Sequence, residues 1–216
     1  MSLAVDALGL KSSLLACLLL LNACATSRYP KVWFEPIRDP HPPAWEILPQ
    51  EAKSGEVILS KRNELGILSN FAPTPFIYHG KQYASLEGFW QMMLYPENGK
   101  SDLPFTREQV AQMSAFEAKH AGDLAYAKMK KDVRDWVTFE GRKMKYWSLT
   151  KGEHYRLIRE AMEEKLKQNP EVRRVLLSTG TLVLKPDHHQ EENSPPEWRY
   201  FEVWMELRAG LQVIGI

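Results

Sequence analysis

The sequence predicts an α+β domain, rich in helix and poor in strand. Apolar residues recur at spacings of three and four through much of the chain after residue 85. Runs that suit strands are short, few and bounded by turn residues. Hydrophobic residues make up 44% and charged residues 25% of the 216, the balance of an ordinary globular protein. This excludes a polytopic membrane protein, a collagen-like chain and a wholly disordered one. Lys and Arg total 28 against 27 Asp and Glu, so the net charge is +1 and an extended nucleic-acid partner is not expected. Two cysteines, Cys17 and Cys24, exclude a disulfide scaffold and a Cys-rich zinc site.

The first element is an apolar run over residues 12–21, SSLLACLLLL. It is about half the roughly 20 residues needed to span a bilayer, and its length suits a secretory signal. It ends in Leu21-Asn22-Ala23-Cys24, which resembles a bacterial lipoprotein box. That resemblance implies a signal peptide over 1–23 and lipidation of Cys24. The protein would then be held in the bacterial cell envelope by acyl chains, on the periplasmic face of the outer membrane in a diderm cell. Asn22 and Asp6 depart from the usual pattern, and a buried N-terminal helix is the other reading. Residues 24–55 contain Pro30, Pro36, Pro40, Pro42, Pro43 and Pro49. They read as a tether behind the anchor, partly docked by Trp33, Phe34 and Trp45.

The folded domain is expected over 56–210. Val57-Ile58-Leu59 suits a buried strand. Phe76-Ile77-Tyr78 and Lys81-Gln82-Tyr83 flank His79-Gly80 as a hairpin. Ser85 caps a helix that runs to about Tyr95, where Pro96 ends it. Thr106 and Gln109 form a capping-box pattern for a helix to about His120, with Gly122 as its stop. Residues 125–136 read as a further helical piece. Tyr155, Ile158, Met162 and Leu166 line one face of a helix over 153–168. Pro170 opens a short helix, 182–184 is a strand, 187–196 a polar loop, and 198–211 a closing helix.

Familiar chemical signatures are missing. No HxxxH or HExxH spacing occurs, and no nucleophile elbow, phosphate loop or dinucleotide fingerprint. His188-His189 sits among acids in the polar loop, where a solvated loop is the plainer reading than a metal site. Glu87 stands in the first turn of its helix, where the N-terminus stabilises a carboxylate. Trp90 and Gln91 follow on the same side. An acid beside an indole suits a ring-bearing substrate, although a first-turn acid and a core Trp explain both residues equally well.

Leu68-Ser69-Asn70-Phe71, then Gly80, then Tyr83-Ala84-Ser85-Leu86-Glu87 and Gln91 resemble the NADAR domain, the YbiA-like family. Further pieces follow in the family's order. Arg134-Asp135-Trp136 or Tyr146-Trp147 with Lys151 resembles its Asp-Trp-x-x-x-Lys segment. Residues 161–169 with Leu176-Leu177-Ser178-Thr179-Gly180 resemble a second block, and Met205-Glu206-Leu207-Arg208 a third. The resemblance implies a compact helix-rich α+β domain with a small antiparallel sheet. It also implies N-glycosidic chemistry on a small ribosyl, ADP-ribosyl or nucleotide-like ligand, with no metal or other cofactor. Glu87 would then stabilise the ribosyl cation or act as acid and base. Lys151 would hold phosphate or act as an amine. Asn70, Phe71, Trp90, Gln91 and Trp147 would bind the substrate.

Two departures bear on activity. Gly88 stands where the family commonly has His, and Leu94 where it commonly has a Lys that handles the opened ribose. Three readings therefore stand: an N-glycosidase with altered partners, a binding lipoprotein that uses the old pocket, and an unrelated envelope protein. Convergence of Asn70, Glu87, Gln91 and a lysine on one pocket favours the first. A pocket filled by Phe201 or Trp204 favours the second or the third.

Overall fold

In the computed structural model, which describes residues 29–99 and 102–213, two helix starts carry the side-chain caps expected from the sequence. The apolar run and Cys24 lie outside the described residues. Helix α1 (Leu86–Met92) begins at Ser85, whose hydroxyl accepts from Gly88 N at 2.9 Å and donates to Met113 O at 2.8 Å. Helix α2 (Arg107–Ala111) carries the reciprocal box. Thr106 accepts from Gln109 N at 3.2 Å, and the Gln109 side chain accepts from Thr106 N at 2.8 Å.

The expected helix from 106 to His120 is instead two helices. After α2 the chain turns, and α3 (Ala115–Lys131) continues through Gly122. The break holds because neighbouring segments satisfy its backbone. Ala84 N donates to Ala111 O and Ala115 N to Phe71 O, both at 3.1 Å. Gly122 is not a stop. A Cβ there would stand 1.9 Å from Gln91 Oε1, so glycine lets α1 cross α3 closely.

Helix α4 (Glu153–Gln168) buries Tyr155, Ile158, Met162 and Leu166 as its periodicity requires. Helices α5 (Pro170–Ser178) and α6 (Tyr200–Val213) complete the helical shell. Among the described residues no helix is long and apolar enough to cross a membrane.

Three two-stranded pairs replace the single small antiparallel sheet. Strand β1 (Glu56–Ile58) pairs in parallel with β6 (Val183–Lys185), Val57 opposite Leu184. Strands β2 (Phe76–Tyr78) and β3 (Lys81–Tyr83) form the expected hairpin, with His79 at φ 48° and Gly80 at φ 74°, the positive pair a two-residue turn needs. A second hairpin, β4 (Trp136–Phe139) and β5 (Arg142–Lys145), is not among the expected elements, and only its first residue falls in the helical piece expected over 125–136. Its turn, Glu140-Gly141, also has both φ values positive.

The core is one cluster in which Phe76, Phe89, Leu94 and Trp204 are buried. Trp33 belongs to it too, with no exposed surface and its indole donating to Glu64 at 2.7 Å. The segment read as a tether is therefore held on the domain from Tyr29 onward. Ile47 N donates to Asp187 O at 2.9 Å, Glu46 bridges His188, and Arg62 pairs with Glu46 at 2.6 Å. A buried indole near one end and main-chain bonds at the other hold the Pro-rich stretch at both ends, while most of residues 35–45 between them are exposed.

Candidate functional site

Four successive carbonyls position the first wall of the site. Leu68 O accepts from Trp204 Nε1 at 2.7 Å, and Ser69 O from Lys165 Nζ at 2.9 Å. Asn70 O accepts from Glu87 N at 2.9 Å, and Phe71 O from Ala115 N at 3.1 Å. The donors come from α6, α4, α1 and α3 respectively. One stretch of chain is thus pinned by four helices, and Asn70 and Phe71 have little freedom to move. Each neutral bond contributes about 1 kcal/mol net, and the one from a charged donor somewhat more. Lys165 is fully buried, and burial pushes its amine down to about 7.

Glu87 forms the floor. It is 6% exposed, and its Oε1 accepts from Gln91 Nε2 at 2.8 Å. Burial pushes its carboxyl above the usual range, against the lowering effects of the Gln91 bond and of the Lys119 and Lys61 charges. Gln91 lies against Gly122, in the space that a Cβ there would take.

Around this floor lies a cleft of about 780 Å³, lined also by Trp45, Phe71, Trp90, Phe116, Tyr126, Tyr146, Trp198 and Tyr200. Phe71 and Phe116 meet edge to face at 5.2 Å, and Tyr126 and Tyr146 lie 5.6 Å apart. Two cations, Lys61 and Lys119, join the lining. Lys119 pairs with Asp123 one turn along α3. Lys61 binds both oxygens of Asp187, at 2.7 and 2.6 Å, and lies over the Phe71 ring at 5.2 Å. Asp187 is 1% exposed, and burial alone would raise its carboxyl. His188 and Lys61 outweigh that and hold it below its ordinary value. Four buried polar atoms on lining residues lack a partner within the described residues: Asn70 Oδ1, Gln190 Oε1, Trp198 Nε1 and Tyr200 Oη. Buried polar atoms are normally satisfied, so these suit a polar ligand or ordered water.

The structure brings Asn70, Phe71, Glu87, Trp90 and Gln91 together, with two lysines, on one cleft. Trp204 lies behind it in the core and Phe201 is not among its lining residues. Trp90 is 5% exposed and meets His154 edge to face at 5.4 Å, so it serves core and cleft at once.

Trp147 and Lys151 lie outside the cleft, a correction to both. Alternation along and just beyond β5 turns Met144 and Tyr146 inward and leaves Trp147 44% exposed. Tyr146, one residue earlier, lines the cleft instead, and burial raises its phenol. Lys151 pairs with Glu206 at 2.6 Å on the surface. That contact, with Tyr155, raises its amine, opposite to what an amine nucleophile needs.

Sequence reasoning also missed Lys61, Lys119 and the 187–196 loop, which was read as solvated. Asp187 is buried, and His188, His189 and Gln190 line the cleft. No local signal marks Lys61, since its partner is 126 positions away. Among the described residues no group of three His, Cys, Asp or Glu could hold a metal ion.

The fold and site define an α+β domain with a buried acid at the floor of an aromatic cleft. No family model matches the chain, and no curated protein does. Among solved structures the chain is similar to the E. coli protein YbiA, determined by NMR. The identity is 22%, the match covers 72% of this chain and 83% of that one, and the TM-score is 0.48.

Proposed function

We propose that the protein is an N-glycosidase of NADAR type, which hydrolyses the bond between a ribosyl carbon and a base nitrogen. The observation that supports this reading best is Glu87, a buried acid with a raised pKa under a ring-lined cleft. Cleavage leaves positive charge on the ribosyl carbon and negative charge on the departing base. A carboxyl that keeps its proton closer to neutrality suits protonation of that base. The carboxylate it leaves behind then faces the ribosyl cation in a cavity of low dielectric. Phe71 and Phe116 offer ring faces and edges to the base. Asn70 Oδ1 can accept from a ribose hydroxyl or a base N–H. Lys61 and Lys119 make the rim attractive to a phosphate, although both are already paired.

The test is release of free base from a panel of purine and pyrimidine ribonucleoside 5′-phosphates and from ADP-ribosylated guanine. Glu87→Gln keeps the shape and removes the acid, and should lower turnover on these substrates by about 10²-fold or more. Undiminished release by that variant would exclude the assigned role.

A second reading is a non-catalytic binding protein, and two observations favour it. Leu94 is fully buried, so it offers the cleft no amine. At Gly88 a Cβ would stand 2.5 Å from Met113 O, so the family's His has no room there. A ligand-dependent rise in melting temperature without turnover would establish it. Envelope anchoring through Cys24 belongs to both readings. Incorporation of labelled palmitate, abolished by Cys24→Ala, tests it.

A further inference from the structure

From the polar loop we infer that His188 is the general base of this site, the group that activates the attacking water. The inference rests on the hydrolase reading above. His188 lines the same cleft as Glu87. Its Nδ1 lies 3.2 Å from Asp187 Oδ1. Asp187 is 1% exposed, and Lys61 holds both of its oxygens within 2.7 Å, so the carboxylate is fixed and ionised. The His188 ring lies nearly parallel to Tyr200, at 6.3 Å and 11°, and its main chain bridges Glu46. Carboxylate, ring stack and backbone together orient the imidazole.

The tautomer follows from the hydrogen bond. An ionised carboxylate only accepts, so Nδ1 carries a proton, and in the neutral tautomer this leaves the lone pair on Nε2. Among the described residues the ring's hydrogen bond is made through Nδ1. A neutral imidazole so oriented by a buried carboxylate is equipped to take a proton from water, and the carboxylate stabilises the imidazolium that forms. In the reaction, the ribosyl C1′–N bond breaks and its electron pair leaves with the base. Glu87 gives that nitrogen its proton. Water oxygen bonds to C1′ and its proton passes to His188 Nε2. The proton on His188 then returns through solvent to the Glu87 carboxylate. The sum is one water added across one C–N bond.

The test separates acid from base by leaving group and by nucleophile, using the full-length protein. The probes are inosine 5′-phosphate and p-nitrophenyl ribofuranoside 5′-phosphate, whose phenolate leaves without protonation. His188→Gln and His188→Asn should lower kcat on both probes by about 10²-fold, with KM within about twofold. Sodium azide, a nucleophile that needs no base, should restore p-nitrophenolate release and yield the ribosyl azide. Glu87→Gln should lose more on inosine 5′-phosphate than on the p-nitrophenyl probe, because only the first leaving group needs its proton. Turnover by both His188 variants at the parent rate would overturn the inference and leave the hydrolase reading standing. A loss that azide does not restore, at unchanged melting temperature, would overturn it equally. A parent that cleaves neither probe and releases base from none of the panel overturns the hydrolase reading, and this assignment with it.

Discussion

Lys165 provides a quantitative test of the wall that carries Asn70. Its amine is fully buried, donates to Ser69 O and faces the Trp204 ring at 5.8 Å. Burial lowers it from 10.5 to about 7, which amounts to roughly 5 kcal/mol of unfavourable differential solvation of the cation. The direction with pH follows from proton counts. Between about 7 and 10.5 the unfolded chain holds a proton at this side chain that the folded one has released. Stability therefore rises with pH across that window. It is lost as pH falls towards 7, and the full penalty applies below it. Replacing Lys165 by Met removes the titrating group and keeps most of the volume. Across pH 6 to 9, the parent's stability relative to Lys165→Met should rise by roughly 2–3 kcal/mol, about 1 M in urea midpoint. Urea unfolding of both proteins, followed by tryptophan fluorescence at each pH, measures the difference and cancels every other titrating group. Parallel curves would refute the burial argument. The Met variant leaves Ser69 O without its charged donor, so it should also loosen the Asn70 turn and weaken ligand binding in the cleft.

Three further outcomes follow from contacts around the site. Gly122→Ala should expel Gln91 from the face of α3 and free the Glu87 carboxyl, lowering turnover with little change in substrate KM; steady-state kinetics and a melting curve separate this from unfolding. Gly88→Ala drives a methyl into the backbone carbonyls of Met113 and Val110, at 2.5 and 2.9 Å, and should destabilise the fold by about 1–3 kcal/mol in a urea titration. Trp147→Ala and Lys151→Ala should leave ligand binding by calorimetry unchanged, because neither lines the cleft, and the exposed Lys151–Glu206 pair should contribute less than about 1 kcal/mol to stability.

Position in the chain was enough to find the helix that carries Glu87, the Thr106 capping box, the His79-Gly80 turn and the buried face of α4. Each of these depends on residues within a few positions of one another, and capping, periodicity and turn chemistry act over that range. The motif order from Leu68 to Arg208 likewise named Asn70, Phe71, Glu87, Trp90 and Gln91 before any geometry was known. What lies between residues distant in sequence was not legible. The parallel pairing of Val57 with Leu184, the pinning of Leu68 by Trp204, and the Lys61–Asp187–His188 cluster each join residues more than 100 positions apart. Gly122 read as a helix stop because glycine ends helices often; only the crossing of α1 over α3 shows that it makes room for Gln91. Tyr146 and Trp147 are adjacent aromatics on either side of one alternating strand path, and only the packing of that strand decides which faces the cleft. By itself, then, the sequence determined the local elements and the acid. Tertiary structure decided the rest of the company that acid keeps: Gln91 is a chain neighbour, but the burial that raises the acid's pKa and the Lys61 and Lys119 charges come from packing of distant segments.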